Sequence, residues 1–482
     1  MFNFKPIALV AGTVICSVGF LLFIPLVTEI IYQTESWQSY AVPILLYLIV
    51  GGSLVITNRN VELKISSKEA FIITSLSWIL LSVLCAVPFI YTQSSLSLVD
   101  SIFESMSGIT TTGATILNNL DELPKGILIW RALLQWLGGI GIVVIALVIL
   151  PFLRIGGMQL FHLEGDDPYE KFLPKISSVV SKIILVYVSL TILLIILYYL
   201  NGMSFFDAIA HSFTTISTGG FSTHNESFAY FQSNSILNIA IIFMIIGSIP
   251  FLLLAQTTMT NIFNIIKDHQ VQLFLLILIA SITMIYFFAR NYVDGEIFYQ
   301  LSTISFNTIS IISGTGYVSD NFENWGNYAS VLFLFLMFIG GCAGSTTGGL
   351  KIFRFQILFK YIVLHLKKML QPHMVISAKF NGKKVPESTY ESVMTFFFVY
   401  IITFASSALL LSFSGIDFLT CISAAASAIS NVGPGLGEII GPEGNYSSLT
   451  NYSKLVLTLT MFLGRLEMLT IFVLLLPSFW KS

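Results

Sequence analysis

Long apolar stretches alternate with polar connections along this chain, and the alternation restricts its fold more than any other feature. A helix crosses a bilayer core of about 30 Å with roughly 20 apolar residues. Ten stretches approach that length, and they cover 7–31, 40–56, 70–91, 127–150, 179–200, 235–254, 271–288, 329–355 (interrupted), 392–413 and 454–476. A soluble core could not bury a chain that is 55% hydrophobic and only 10% charged. We therefore predict an all-α polytopic membrane protein with about ten transmembrane helices.

The charges of the connections divide into two sets, which predict the orientation. One set is basic and contains Arg59, Lys64, Lys68, Arg154, Lys171, Lys175, Lys182, Lys267, Lys367, Lys368, Lys379, Lys383 and Lys384. The other set holds only four basic residues, Lys125, Arg131, Arg290 and Lys454, and it collects acidic residues such as Asp121, Glu122 and Glu323. Basic connections face the cytoplasm, so we expect both termini to be cytoplasmic. An acidic outer rim would concentrate cations, although such rims also occur on proteins with other roles.

Four semi-apolar stretches, 99–115, 205–222, 298–319 and 418–437, are too short to cross the membrane and too apolar for ordinary loops. Their ends read TTTGA, STGGF, SGTGY and SNVGP. Asp100 and Asp207 precede the glycines Gly113 and Gly220 by the same interval, and we expect each aspartate to cap a short helix, with Thr303 and Thr420 as the caps of the other two. A single such run would fit an outer turn as well as an ion filter. Recurrence at a period of about 100 residues favours the filter.

A cation crosses a bilayer when backbone carbonyls replace its hydration shell, and four chain segments around one axis can supply rings of such carbonyls. Glycine tolerates the dihedral angles that this requires. The C-terminal ends of the preceding short helices would add a partial negative charge. The candidate ligands are the carbonyls of Thr111, Thr112, Gly113, Thr218, Gly219, Gly220, Gly314, Thr315, Gly316, Asn431, Val432 and Gly433.

The interruption of the eighth stretch and a charge in the last one suggest a gate. Each glycine weakens a helix by roughly 1 kcal/mol relative to alanine, so we expect 340–349 to form a loop within the membrane. Its small residues could instead serve close helix packing. We expect Arg465 to face the interior, where it either bonds to carbonyls of this loop only for structural reasons or forms a positive barrier below the filter. The candidate gate residues are Gly340, Gly341, Gly344, Ser345, Thr346, Thr347, Gly348, Gly349 and Arg465.

These motifs make the chain resemble the membrane subunits of the Trk potassium-uptake systems, in the superfamily that also contains the Ktr and HKT transporters. The resemblance covers the four filter runs, the run 430–436, the small-residue run 340–349 and the pair Gly464 and Arg465. Two additional N-terminal spans are similar to Trk and not to Ktr. The glycines Gly113, Gly220, Gly316 and Gly433 imply potassium, since a serine in place of the first filter glycine accompanies sodium transport in HKT relatives.

The resemblance implies four pseudo-symmetric repeats of helix, pore loop and helix around one pore, after two N-terminal helices. We expect a two-span region at 1–66 and repeats at 67–165, 166–265, 266–375 (with the broken helix and the gating loop) and 376–482. Further implications are potassium uptake across the bacterial cytoplasmic (inner) membrane, a homodimer, and a ring of cytosolic nucleotide-binding regulatory subunits that contacts 154–182 and 367–384. A cotransporter that couples potassium to sodium or protons is the alternative.

Other classes of function find no support in the sequence. It has no GxxxxGK[ST] loop, no HExxH motif and no paired intramembrane aspartates, so we expect neither an enzyme nor an organic cofactor, with potassium only as the transported ion. A net charge of −2 gives no support for nucleic-acid binding. Glu104 is expected to brace the first filter, and His211 to pack within the second pore helix. His162, His269, His365 and His373 are expected to be surface residues.

Overall fold

The computed structural model describes residues 4–61, 66–92, 96–153, 169–257, 263–371, 379–380 and 383–481. Within these residues the fold is helical apart from one hairpin of two-residue strands, and the predicted all-α fold is confirmed. Seven helices in these ranges are long and apolar enough to cross a membrane, or up to nine spans if each bent pair counts once. The interrupted stretch 329–355 contains parts of two separate helices and is not among these spans, so its crossing of the membrane stays a prediction.

The N-terminal region consists of α1 (Phe4–Leu21), α2 (Phe23–Ile31) and α3 (Gln38–Asn58), with α1 and α2 in one span. The first repeat follows with α4 (Ser67–Thr92), the pore helix α5 (Leu98–Ile109) and α6 (Lys125–Leu153). The buried carboxylate of Glu29 on α2 accepts a 2.5 Å hydrogen bond from the backbone N–H of Gly126. A carboxylate is stabilised at a helix N-terminus, so this bond docks the N-terminal region onto α6.

The second repeat contains α7 (Tyr169–Leu200), the pore helix α8 (Phe205–Ile216), α9 (Asn234–Gly247) and α10 (Phe251–Thr257). Helix α9 meets α10 at an angle of 98°, so a straight span over 235–254 is wrong. Pro250 lies in the break, and a proline ends a helix before it because its ring clashes with the preceding turn. The break leaves the carbonyls of Gly247 and Ser248 outside the helical bonding pattern.

The third repeat follows the short helix α11 (Phe263–Lys267). It contains α12 (His269–Ala289), the pore helix α13 (Ile297–Ile312), α14 (Asn327–Leu336) and α15 (Ile352–Leu370). The hairpin pairs β1 (Lys379–Phe380) with β2 (Lys383–Lys384). As the glycine content predicts, 340–349 is not helical.

The fourth repeat contains α16 (Glu387–Ser412), the pore helix α17 (Phe418–Ser430), α18 (Asn451–Arg465), α19 (Leu469–Leu475) and α20 (Pro477–Trp480). Helices α18 and α19 meet at 110°. Arg465 therefore ends a helix at a bend and does not lie in the middle of a straight span. Short 3₁₀ helices in the connections cover Glu35–Trp37, Leu120–Glu122, Ser227–Phe231 and Phe322–Trp325.

The predicted caps of the pore helices are wrong in register. Ser97 and Ser204 are the N-cap residues of α5 and α8, and Asp100 and Asp207 lie three residues later. On α5 the two side chains form a reciprocal capping box. Asp417 caps α17 by accepting a 3.0 Å hydrogen bond from the N–H of Thr420.

The third pore helix, α13, begins after Glu296 without a side-chain cap. Thr303 is therefore an interior residue of α13 and not its cap. The repeat boundaries remain predictions: 165/166 and 375/376 lie outside the described residues, and 265/266 falls inside α11.

Candidate functional site

The ends of the four pore helices meet in a closed ring. A methyl group added to Gly113 would lie 2.3 Å from the carbonyl oxygen of Gly219 in the second repeat. The same test links the other repeats in turn, the second to the third, the third to the fourth and the fourth to the first. The added methyl group would lie 1.8 Å from Thr315 O at Gly220, 1.9 Å from Val432 O at Gly316 and 2.8 Å from Thr112 O at Gly433. Each glycine therefore touches the backbone of the next repeat, and only glycine fits.

The backbone conformation repeats with the same fourfold pattern. Thr111, Thr218, Gly314 and Asn431 have φ values of 53°, 50°, 67° and 55°, and the glycines two residues later also have positive φ. Three of these four left-handed residues are not glycine, which costs of order 1 kcal/mol or more at each position. The shared pattern supports the alignment of the four runs that their sequences indicate.

The N–H groups of the four runs bond back to their own pore helices. Thr112 N donates to Ser107 O at 2.9 Å, and the equivalent bonds are Gly219 to Thr214 at 2.8 Å, Thr315 to Ser310 at 2.9 Å and Val432 to Ser427 at 3.0 Å. Because the donors are directed away from the ring, the carbonyls are free to turn towards its axis. Such an arrangement can replace the water around a cation without burying a fixed negative charge.

A buried ion pair supports the first run. The carboxylate of Glu104 on α5 accepts from Arg131 Nε on α6 at 2.8 Å, from Thr115 Oγ1 at 3.0 Å and from the N–H of Ile116 at 2.9 Å. Arg131 also donates to Ser222 O at 3.0 Å, and so connects the first two repeats. Glu104 thus contacts the residues that follow the first run, as its predicted bracing role requires.

The sequence analysis missed both basic partners of α5. It assigned Arg131 and Lys454 to the outer connections, but their relative exposures are only 1% and 5%. Lys454 Nζ on α18 donates to Asp100 Oδ1 at 2.6 Å. The available signal was the position of each cation at the start of an apolar stretch, but no sequence rule pairs it with a carboxylate on another helix, 27 residues away for Arg131 and 354 for Lys454.

Neutral side chains brace the other runs. Gln135 on α6 donates from Nε2 to Gly219 O at 2.6 Å and accepts from the N–H of Phe221 at 3.0 Å. Tyr446 donates to Gly433 O at 2.8 Å. Asn431 donates to Thr112 Oγ1 at 2.9 Å and thereby joins the fourth run to the first. The carbonyl of Gly219 consequently carries one protein donor, whereas that of Gly433 carries two, since Ser427 Oγ also donates to it at 2.9 Å.

A cavity of about 80 Å³ opens outside the ring and is lined by Gly113, Gly220, Gly316 and Gly433. His224 also lines it and binds Asp121 through Nδ1, while its Nε2 lies 3.5 Å from Asp207 Oδ1. Burial lowers the pKa of His224, but the neighbouring carboxylates of Asp207 and Asp121 outweigh it and raise that pKa above its ordinary value. The protonated imidazole would bridge the first and second repeats.

The loop 340–349 lies on the opposite side of the ring from the outer cavity. Thr346 Oγ1 donates to Ile216 O at 3.2 Å and to Gly247 O at 3.0 Å, and Cys342 N donates to Ser248 O at 3.0 Å. A methyl group on Gly348 would lie 2.1 Å from Ser430 O. The carbonyls released by the break between α9 and α10 therefore hold the loop against the ends of two pore helices.

A cavity of about 30 Å³ lies between this loop and the C-terminal helices. Its lining includes Lys351, Arg354, Arg465 and Glu467, a formal charge of three positive and one negative. Arg354 Nη2 binds Glu467 Oε2 at 2.5 Å. In this conformation the excess of two positive charges opposes the entry of a cation from this side.

The predicted bond between Arg465 and the loop carbonyls is wrong for this structure. In the described part of the chain, none of the three guanidinium nitrogens has a hydrogen-bond partner, although the residue is 3% exposed. Lys351 Nζ takes this role instead and donates to the carbonyl and the hydroxyl of Thr347. Lys351 follows the loop directly and reaches back over one turn, and the sequence analysis overlooked it.

The structure therefore brings together all the predicted filter residues, and the predicted gate residues lie beneath them. Their roles as filter and gate stay predictions. His211 lies within α8 and contacts Ser222 Oγ at 3.0 Å. Among the described residues, no group of three or more His, Cys, Asp or Glu could hold a metal ion. Residues 154–168, His162, His373 and most of the connection 372–382 lie outside the described residues.

Known proteins are similar to this chain over nearly its whole length. The TrkH family profile, described as a cation transport protein, matches residues 38–482. The chain is 37% identical to the Trk system potassium uptake protein TrkI of Halomonas elongata, covering 100% of this chain and 98% of that protein. It is 36% identical to TrkH of Salmonella typhimurium, with 100% of both proteins covered. The crystal structure of the potassium transporter TrkH from Vibrio parahaemolyticus superposes with a TM-score of 0.91, at 33% identity and with 100% of both chains covered.

Proposed function

This chain belongs to the TrkH family of cation transport proteins, and from that premise we propose that it takes up potassium ions across the bacterial cytoplasmic membrane. The ions pass through the ring of carbonyls at 111–113, 218–220, 314–316 and 431–433. The observation that carries the proposal is the closed cycle of glycine-to-carbonyl contacts around the four repeats. A potential of about 100 mV, negative inside, contributes roughly 2.3 kcal/mol per monovalent cation, which drives accumulation without chemical coupling.

Selectivity for potassium depends on the close contacts of the ring. A serine at Gly113 would place its Cβ atom 2.3 Å from Gly219 O, so the first two repeats would separate or rotate. Either movement changes the distance between opposing carbonyls and favours an ion of different size. Gly113→Ser is therefore expected to lower the ratio of rubidium to sodium uptake, whereas Gly52→Ser on α3, where an added Cβ meets nothing within 4 Å, leaves it unchanged.

The direct test of transport uses bacteria that lack their own potassium-uptake systems and purified protein in liposomes. We expect the full chain to restore growth at low potassium and to carry rubidium into liposomes in response to an inside-negative potential alone. Uptake that requires a sodium or proton gradient would establish the alternative, a cotransporter, and its broken helices would then belong to a carrier mechanism. Absence of rubidium uptake under every gradient would contradict both.

The gate in this proposal is the loop 340–349 together with Lys351 and Arg465. The loop obstructs the path below the ring while Thr346 and Thr347 hold it in place, and the two cations repel an entering ion. A variant that lacks part of the loop, and the variant Arg465→Ala, should both raise rubidium uptake. Arg465→Lys keeps the charge and should resemble the parent chain. Lower uptake by folded Arg465→Ala protein would contradict the barrier role.

Regulation in this proposal comes from a ring of cytosolic nucleotide-binding subunits bound to a homodimer of this chain, with both termini in the cytoplasm. Helix α15 begins shortly after the loop 340–349 and carries exposed Lys367 and Lys368 in its last turn. A partner that binds these lysines can therefore pull on the loop through one rigid helix. The second proposed contact is 154–182, of which residues 154–168 lie outside the described part of the chain.

A further inference from the structure

A large apolar cavity lies behind the first filter run, between the N-terminal region and the first repeat. Its volume is about 610 Å³, and α1, α4, α6 and the last residue of α5 line it. Apolar cavities of ~150 Å³ already stay dry and take up benzene-sized ligands. Protein interiors are packed to the density of organic crystals, so an empty space about four times that size would forfeit a great deal of attractive contact.

We propose that an acyl chain of a membrane lipid occupies this cavity. Its wall on α1 extends from Leu9 to Leu21, well inside the ends of the span Phe4–Ile31 and hence at the depth of lipid tails. Thr13 and Ser17, which lie on this wall, are exposed, and the cavity is open to its surroundings. At this depth those surroundings are lipid tails, so an acyl chain can enter from the bilayer.

The polar atoms of the wall favour a lipid tail over water. Thr13 Oγ1 donates to Leu9 O at 2.8 Å, and Ser17 Oγ donates to Thr13 O at 2.8 Å, so both hydroxyls are satisfied by their own helix. Trp130 Nε1 donates to Cys85 O at 3.1 Å. The donors of these three side chains are used within the protein, which leaves the wall few partners for the two to four hydrogen bonds of a buried water.

The occupant would support the filter directly. Ile109, the last residue of the first pore helix, lines the cavity and precedes the left-handed residue Thr111 by two positions. Leu134 also lines it, and its Cβ lies 3.1 Å from the position that a methyl group on Gly108 would take. The acyl chain therefore packs against Ile109 and Leu134, the two side chains that separate the bilayer from the base of the first run.

Gly141 offers a way to test the occupant. It lines the cavity, and a Cβ added there meets no atom within 4 Å. Gly141→Leu should thus fill part of the space from within the protein and displace the acyl chain. Gly52→Leu is the matched control, because Gly52 also faces open space but lies on α3 outside the cavity.

The measurement is quenching of tryptophan fluorescence by lipids brominated at the middle of the acyl chain. Full-length protein is placed in phosphatidylcholine and phosphatidylglycerol vesicles with and without bromine. Trp78 lines the cavity at a relative exposure of 4%, and its quenched component is defined as the part that Trp78→Phe removes. We expect this component in the parent chain and in Gly52→Leu, and its loss in Gly141→Leu.

Two outcomes would overturn the inference. No quenching of Trp78 in the parent chain would mean that something other than lipid fills the space, such as a segment of this chain or of a second copy. Equal quenching in all three proteins would mean that bromine acts only from the outer surface. Because the readout is fluorescence, it is independent of whether the protein transports potassium.

Discussion

The ion pair between Glu104 and Arg131 provides the sharpest test of how the filter is held. Both side chains are buried, at relative exposures of 0% and 1%. Glu104→Gln keeps the shape of the side chain but leaves the positive charge of Arg131 without compensation. Arg131→Met likewise leaves the negative charge of Glu104 without compensation. Breaking a buried pair by removing one partner costs about 3 to 5 kcal/mol. We expect each single variant to lose stability in that range.

The double variant should be much closer to the parent chain, because no uncompensated charge remains and the volume is similar. The losses of unfolding free energy in the two single variants would then not add, and the coupling energy between the two sites would be on the order of 3 kcal/mol or more. Glu122→Gln, at an exposed position in the following connection, is the control and should change stability by less than about 0.5 kcal/mol.

The assay is unfolding of detergent-solubilised protein, followed by the fraction that remains monodisperse after heating, together with rubidium and sodium uptake by the same variants. Glu104→Gln replaces one of the two carboxylate oxygens that accept from Arg131, Thr115 and Ile116 with an NH2 group that can only donate, so discrimination between the two ions should fall along with stability. If the double variant loses as much stability as the sum of the singles, the pair does not brace the filter and the reasoning fails.

Three further variants probe other contacts. Lys351→Met removes the donor to Thr347 and one positive charge below the ring, and rubidium uptake should rise about tenfold for each 1.4 kcal/mol lost from the closed loop; unchanged uptake would remove Lys351 from the gate. The raised pKa of His224 means that its stabilisation is complete below its unfolded pKa of about 6.5 and is lost as pH rises through the folded value. The thermal midpoint of the parent chain should therefore fall as the pH is raised above about 6.5, and this fall should be absent in His224→Gln. Tyr446→Phe deletes the hydrogen bond to Gly433 O and should cost about 1 kcal/mol with reduced ion discrimination, whereas a neutral result would make that bond dispensable.

The sequence was sufficient for the features that depend on local pattern. Apolar stretches of the right length identified the spans, and recurrence identified the four pore loops, because both signals are repeated many times along the chain. The glycines of 340–349 likewise predicted an irregular segment. A signal that was present but unused is Pro250, which lies just after Gly247 and Ser248 and marks the break between α9 and α10.

The pairing of buried charges could not be predicted in the same way. Arg131 and Lys454 each bind a carboxylate on another helix, 27 and 354 residues away, and Arg354 binds Glu467, 113 residues away in the bend between α18 and α19. Such pairs arise only when the repeats pack, so no local pattern specifies them. The assignment of Asp100 in place of Ser97 as the N-cap of α5 is a smaller error. Serine and aspartate are both common N-cap residues, so the sequence does not say which of the two caps the helix until the helix start is known.

The cyclic order of the glycine contacts has a consequence for biosynthesis. The ring is completed only when Asn431 reaches Thr112, a contact between residues 319 positions apart. Bringing such distant segments together carries a loop-closure cost and delays the event until the last quarter of the chain has been inserted. In the proposed pore, a nascent or truncated chain therefore has no complete ring, and it should not leak ions while the protein is being made. A pore built from four separate chains obtains the same protection from its assembly step, whereas here it follows from the order of synthesis.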